Sequence, residues 1–273
     1  MTKPNKELNM VQKIRVHLYG DLPIRKTSMT KPNSVIIWEG KSLIDGGPIV
    51  ALLSGLTTKS GNDKTGDMAQ VDIVRSDIHP IEAVKQGLDY SICGECPLRM
   101  VWDSTLKKYV RVCYVNLLFA PSGKFKAYLR GSYPVMTPEE AGEILRAKGK
   151  GVRQGSYGDP FAVPIDIWNR LHKSANTFTT SYTHQWMLPN FNPEMFKYSM
   201  ASVDHVNTVE KLRELYPDVR YYRMAKNYDD INKETEVKCP SKNTKGERVL
   251  TCSECRLCFG GLKAKNVVIV EGE

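Results

Sequence analysis

The chain has 273 residues, 41% of them hydrophobic and 25% charged, and its mean hydropathy of −0.38 is that of an ordinary globular protein. These values exclude a disordered, collagenous or coiled-coil chain, and no run of about 18 uncharged apolar residues is there to span a bilayer. Two features depart from the ordinary: a net charge of +9 and an odd count of seven cysteines.

The first 33 residues carry Lys3, Lys6, Lys13, Arg15, Arg25, Lys26 and Lys31 against Glu7 and Asp21, which is five of the nine excess positive charges. They read as a basic arm suited to contact an anionic polymer such as nucleic acid, or as a solubilising extension. No apolar segment of a secretory signal follows Met1, so a cytoplasmic setting without membrane contact is expected. In a reducing compartment, clustered cysteines hold metal or do redox chemistry more often than they form disulfides.

Residues 34–273 read as one α/β domain. Strands are predicted over 48–53, 69–75 and 110–119, and helices over 80–86 and 137–149, the last opened by Thr137-Pro138-Glu139-Glu140. The polar loop at 57–68 lacks the spacing of a phosphate-binding P-loop. Beyond residue 150, strand-like runs at 152–156, 177–181, 197–203, 219–224 and 266–270 alternate with helical periods at 161–174 and 206–215. Such alternation means βαβ units and a parallel sheet, so the expected fold is a complete or partial (β/α) barrel, with an open doubly wound sheet as the alternative.

Residues just after strands of a barrel line its functional face. Here they include Tyr157-Gly158-Asp159-Pro160, Tyr182-Thr183-His184-Gln185-Trp186 and Asp204-His205. Asp159, His184 and Asp204 are the candidate acid, base or nucleophile, with Tyr157 and Tyr182 orienting substrate. Either aspartate alone is better explained as a helix N-cap than as a catalytic group, and it is their convergence with the histidine that points to chemistry. Arg153, Arg220 and Arg223 have the bidentate donors that suit phosphate. His17 and His172 sit in contexts of exposure or core packing and are set aside.

The cysteines fall into two sets. Cys239 precedes the compact run Cys252-Ser253-Glu254-Cys255-Arg256-Leu257-Cys258, four thiols that match an iron–sulfur cluster of the 4Fe-4S type or a tetrahedral zinc, with no coordination position left open. Cys93-Gly94-Glu95-Cys96 and Cys113 form a set of three. His79 can complete that set as a closed zinc site, or its open corner can take substrate or cofactor, or all seven thiols can hold two adjacent clusters.

Arg75-Ser76-Asp77-Ile78-His79-Pro80, Cys93-Gly94-Glu95-Cys96, Arg111-Val112-Cys113-Tyr114-Val115, Gly155-Ser156-Tyr157-Gly158-Asp159-Pro160, Tyr182-Thr183-His184-Gln185-Trp186 and the final C-x2-C-x2-C together resemble an uncharacterised family of bacteriophage and mobile-element proteins, from about residue 45 onward. The resemblance implies a viral protein working in a bacterial host cytoplasm. More loosely, cysteines at the mouth of a barrel resemble radical S-adenosylmethionine enzymes, whose C-x3-C-x2-C signature this chain lacks. Phage transglycosylases that exchange DNA bases are similar only at the level of the fold. The expectation is a metal-containing enzyme acting on a nucleic acid or nucleotide. Its rival is a non-catalytic, zinc-stabilised protein that binds nucleic acid.

Overall fold

The computed structural model describes residues 32–99, 101–204, 206–241 and 247–271, so the seven arm cations of the first 31 residues lie outside the described part. Strands β1 (Ser34–Lys41), β2 (Pro48–Ser54) and β3 (Met68–Arg75) open the chain as an antiparallel meander. The run Ile49-Val50-Ala51-Leu52-Leu53 is buried throughout, as a strand covered on both faces must be.

After β3 come the short helices α1 (Pro80–Lys85) and α2 (Tyr90–Cys93), a hairpin of β4 (Val101–Asp103) with β5 (Lys108–Val110), and helices α3 (Ala120–Leu129) and α4 (Pro138–Lys148). The chain then runs through β6 (Gly151–Tyr157), α5 (Ile165–Ala175), β7 (Thr179–Thr183), β8 (Met200–Val203), α6 (Asn207–Leu215) and β9 (Tyr221–Ala225). It ends with β10 (Glu236–Lys238), the single turn α7 (Cys252–Cys255) and β11 (Asn266–Val270).

One nine-stranded sheet in the order β1-β2-β3-β6-β7-β8-β9-β11-β10 organises the molecule, and every pairing from β3 onward is parallel. From β3 to β9 each crossover advances in one direction, and right-handed crossovers that all advance the same way put their helices on one face. The order does not reverse about a central strand as a doubly wound sheet requires. Among the described residues no pairing joins β1 to β10, and β1 is covered on its outer edge by bonds from Ile36 N to Pro134 O and from Met136 N to Ile36 O, each 3.0 Å.

The main core joins Leu52, Leu53, Val71, Ile73 and Val152 of the sheet with Leu145, Phe161, Trp168 and Leu171 of the helical layer. A second, smaller core on Met200, Val267 and Cys258 gathers Tyr182, Tyr222, Cys239 and Leu257. The strand expected over 110–119 forms only as far as Val110. Beyond it, Arg111 Nη1 turns the chain by donating to the carbonyls of Cys113 (3.1 Å) and Val115 (2.7 Å), and Val112, Tyr114, Leu118 and Phe119 point outward. No helix among the described residues is long and apolar enough to cross a membrane.

Candidate functional site

The carboxyl ends of β3, β6, β7 and β8 bring together residues from four distant stretches of sequence. Asp159 follows β6 and caps the short 3-10 turn Pro160–Ala162: Oδ1 accepts from Phe161 N at 3.0 Å, while Oδ2 accepts from His184 N at 2.8 Å and Gln185 Nε2 at 3.2 Å. Burial raises its carboxyl above the ordinary aspartate value, against the pull of the His184 charge and of the Phe161 and His184 amides. Asp159 is thus a buried clamp that ties the β6 loop to the β7 loop. Of its two readings, capping is the one its bonds support.

His184 is the centre of the cluster. Its Nε2 lies 3.3 Å from Asp204 Oδ1 and 3.9 Å from Cys96 Sγ. Burial alone would depress the imidazole, but its bonds to Asp204 and Cys96 hold it up at about 10. A nucleophilic triad presents base and orienting carboxylate on opposite ring nitrogens. Here one nitrogen faces both partners, so the trio is a shared-proton cluster rather than a cysteine–histidine–aspartate relay.

The two-cysteine turn is built by α2. Arg99 locks it, with Nε and Nη2 on Asp89 at 3.1 and 2.7 Å and Nη1 on Gly94 O at 3.2 Å. Gly94 has φ +49, and a Cβ there would meet Gln185 Oε1 at 2.1 Å, so the position directly after Cys93 favours glycine. Gln185 crosses back, accepting from Glu95 N (3.1 Å) and donating to Cys93 O (2.8 Å). Burial pushes the Cys93 thiol well up, aided by Cys96, Asp89 and Cys113 nearby. Burial also raises the Tyr157 phenol, beside Cys93 and Cys113, and its hydroxyl is buried with no hydrogen-bond partner.

His79 Nδ1 caps α1 through Ile81 N at 3.4 Å, its ring meets Phe125 edge-on at 5.6 Å, and its Nε2 is buried with no hydrogen-bond partner. The imidazole seen in contact with the three-cysteine set is that of His184, on Cys96. Tyr182 also departs from the expectation: it packs on Tyr222 at 4.6 Å and its hydroxyl bonds Cys258, because strand alternation turns it to the opposite face from Thr183.

Cys239, Cys252, Cys255 and Cys258 line one small cavity of about 10 Å³ together with Thr180 and Val267. Burial pushes Cys258 up to about 12 and raises Cys252 and Cys255 in the same direction. The backbone holds this segment across the sheet, with Cys252 N on Lys64 O and Ser253 N on Thr65 O, each 3.0 Å. Among the described residues no three His, Cys, Asp or Glu side chains are arranged to hold a metal ion. The donor chemistry of both sets nevertheless suits thiolate-bound metal, and a cysteine has one χ angle with three wells, so thiols around one cavity re-aim without backbone movement.

The arginines expected on phosphate divide. Arg223 lies inside, with Nε and Nη2 on Glu236 at 2.6 and 2.7 Å, and Arg220 spends its donors on the carbonyls of Phe259, Ala264 and Lys265. Neither offers a free fork to a ligand. Arg153 meets the Tyr114 hydroxyl at 3.1 Å. Gln185 and Arg99 organise the site without having been singled out in the sequence. Gln185 stood next to His184 after a strand, the one signal that could have found it.

Compared with models of protein families, with curated proteins and with solved structures, the chain matches none of them.

Proposed function

We propose that the protein is a metal-dependent enzyme acting on a nucleic acid or nucleotide, with Cys93, Cys96 and Cys113 as the reactive centre's ligands and Cys239, Cys252, Cys255 and Cys258 as a closed, stabilising set. The observation that carries this reading is the His184–Asp204 pair set against Cys96 at the carboxyl edge of the parallel sheet. Open α/β sheets bind their ligands at that edge. A three-thiol set leaves one position for substrate or for His184, whereas four thiols leave none.

Bound there, an iron–sulfur cluster or zinc would supply a Lewis-acid or redox centre. The chain's own groups do the rest. His184, held by Asp204, takes or gives a proton at Nε2. The unpartnered Tyr157 hydroxyl is available to donate to a substrate oxygen. Asp159 and Gln185 keep the two loops in register. The charge of +9, concentrated in the first 33 residues, favours a polyanionic substrate, and the motif resemblance to bacteriophage proteins is in keeping with that.

Purification without oxygen, followed by iron, sulfide and zinc analysis, tests the reading. Wild type should carry two centres' worth of metal, and C93S/C96S should lose the share of one of them. Protein free of both metals would overturn it.

A further inference from the structure

At the opposite edge of the sheet, where β6, β7 and β8 begin, lies a cleft of about 560 Å³. This is within the range of small-molecule sites. Three cations from three elements surround it: Arg146 in the last turn of α4, Lys173 in the last turn of α5, and Arg256 just after α7. No carboxylate is among its lining residues. Cations in last helical turns often do no more than offset the helix dipole. That explains Arg146 and Lys173 one at a time, but not their convergence with Arg256, whose guanidinium sits 4.3 Å over the Phe178 ring.

A second observation points the same way. His172, also on the wall of the cleft, is 7% exposed, stacks on Tyr198 at 4.3 Å and 19°, and engages Gln154 Oε1 through Nε2 at 2.8 Å. Its other nitrogen, Nδ1, is buried with no partner. Burial lowers the imidazole to about 4, so it is neutral at pH 7. With Nε2–H given to Gln154, Nδ1 is an acceptor without a donor. Buried polar atoms without partners are uncommon, and each asks for an explanation.

We propose that this cleft binds a ligand that joins a planar ring to an anionic group, the chemistry of a nucleoside monophosphate. The phosphate meets Arg146, Lys173 and Arg256, the ring lies along Phe178 and Tyr198, and a ring or sugar donor reaches His172 Nδ1. The site is separate from the carboxyl-edge cluster and stands whether or not metal is found there.

Calorimetric titration of the full chain with AMP, GMP, CMP and UMP, and with inorganic phosphate and adenosine as partial ligands, tests it. At least one monophosphate should bind saturably and more tightly than phosphate or adenosine alone. K173Q/R256Q should weaken it by about tenfold or more, since charge-assisted pairs are lost, while the variant still unfolds in one cooperative transition and K173Q alone weakens binding in the same direction. H184N should leave binding as it is. A hexadeoxyadenylate arm identifies the source: binding tighter than AMP that K173Q/R256Q weakens as it weakens AMP means a strand in the cleft. Tighter binding that the double variant leaves unchanged belongs to the basic arm and means the cleft takes the free nucleotide, as does equal or weaker binding. The proposal is overturned if no monophosphate binds below millimolar concentration, if phosphate alone binds as tightly, if K173Q/R256Q binds like wild type, or if H184N abolishes binding.

Discussion

At the scale of single residues, buried charge is where substitutions should tell most. Burial alone would raise the Glu236 carboxyl, but Arg223, the Tyr221 hydroxyl and the Asn232 amide donate to it and hold it below the ordinary glutamate value. The two charged side chains are 3% and 2% exposed. Removing one partner strands the other, so E236Q should cost roughly 3–5 kcal/mol in a urea titration. A carboxyl whose folded pKa is depressed stabilises above its unfolded value, about 4.3, and loses that contribution as pH falls through the folded value. Wild type should therefore lose stability on acidification below about pH 4 more steeply than E236Q. Asp159 makes a different prediction. D159A leaves three donors unmet, the backbone amides of Phe161 and His184 and the Gln185 side chain, and should lower stability by about 1–3 kcal/mol for each left buried and unsatisfied. A purely catalytic aspartate would leave the unfolding curve where it is.

At the scale of elements, α4 shows how local rules and packing divide the work. Thr137 and Glu140 form a reciprocal capping box, Pro138 occupies the first turn, and Gly149 closes the helix in the left-handed region at φ 64. T137A should cost about 1 kcal/mol. Gly142 lies mid-helix, where alanine would ordinarily gain about 1 kcal/mol. Its Cβ, however, would stand 2.6 Å from Leu171 O and 2.8 Å from Ala175 N of α5. G142A should therefore destabilise, by about 1–3 kcal/mol, as overpacking does. A stabilised G142A would mean that α4 and α5 do not approach so closely. The 110–119 segment shows the opposite failure, since its apolar residues fit a strand pattern but one arginine hydrogen-bonding two carbonyls bends them outward.

At the scale of the whole molecule, the segment after β10 straps the sheet: Cys252 and Ser253 bond the loop before β3, while Gly261 N reaches Lys197 O at 3.1 Å ahead of β8. If metal sits on the four-cysteine set, its binding energy is folding energy. C252S/C255S or a chelator should then lower the thermal midpoint of the entire chain, while C93S/C96S shifts it much less. Deleting residues 1–31 should weaken binding to an oligonucleotide and flatten its salt dependence, since each lost phosphate contact removes about one unit of slope. Much of the architecture was legible in the sequence because it is written in local period and punctuation: the strands at 48–53, 69–75 and 266–270, the capped helix at 137–149, and the two cysteine groups. Short edge elements such as β4, β5 and β10 carry too few residues for a period to show. Which groups face one another was decided only by the tertiary structure. Pairing in register set His184 against Cys96, turned Tyr182 to the other face, and buried Arg220 and Arg223 against carbonyls and Glu236. Residue type and spacing determine what chemistry a side chain can do, but its neighbours depend on contacts made across long stretches of chain.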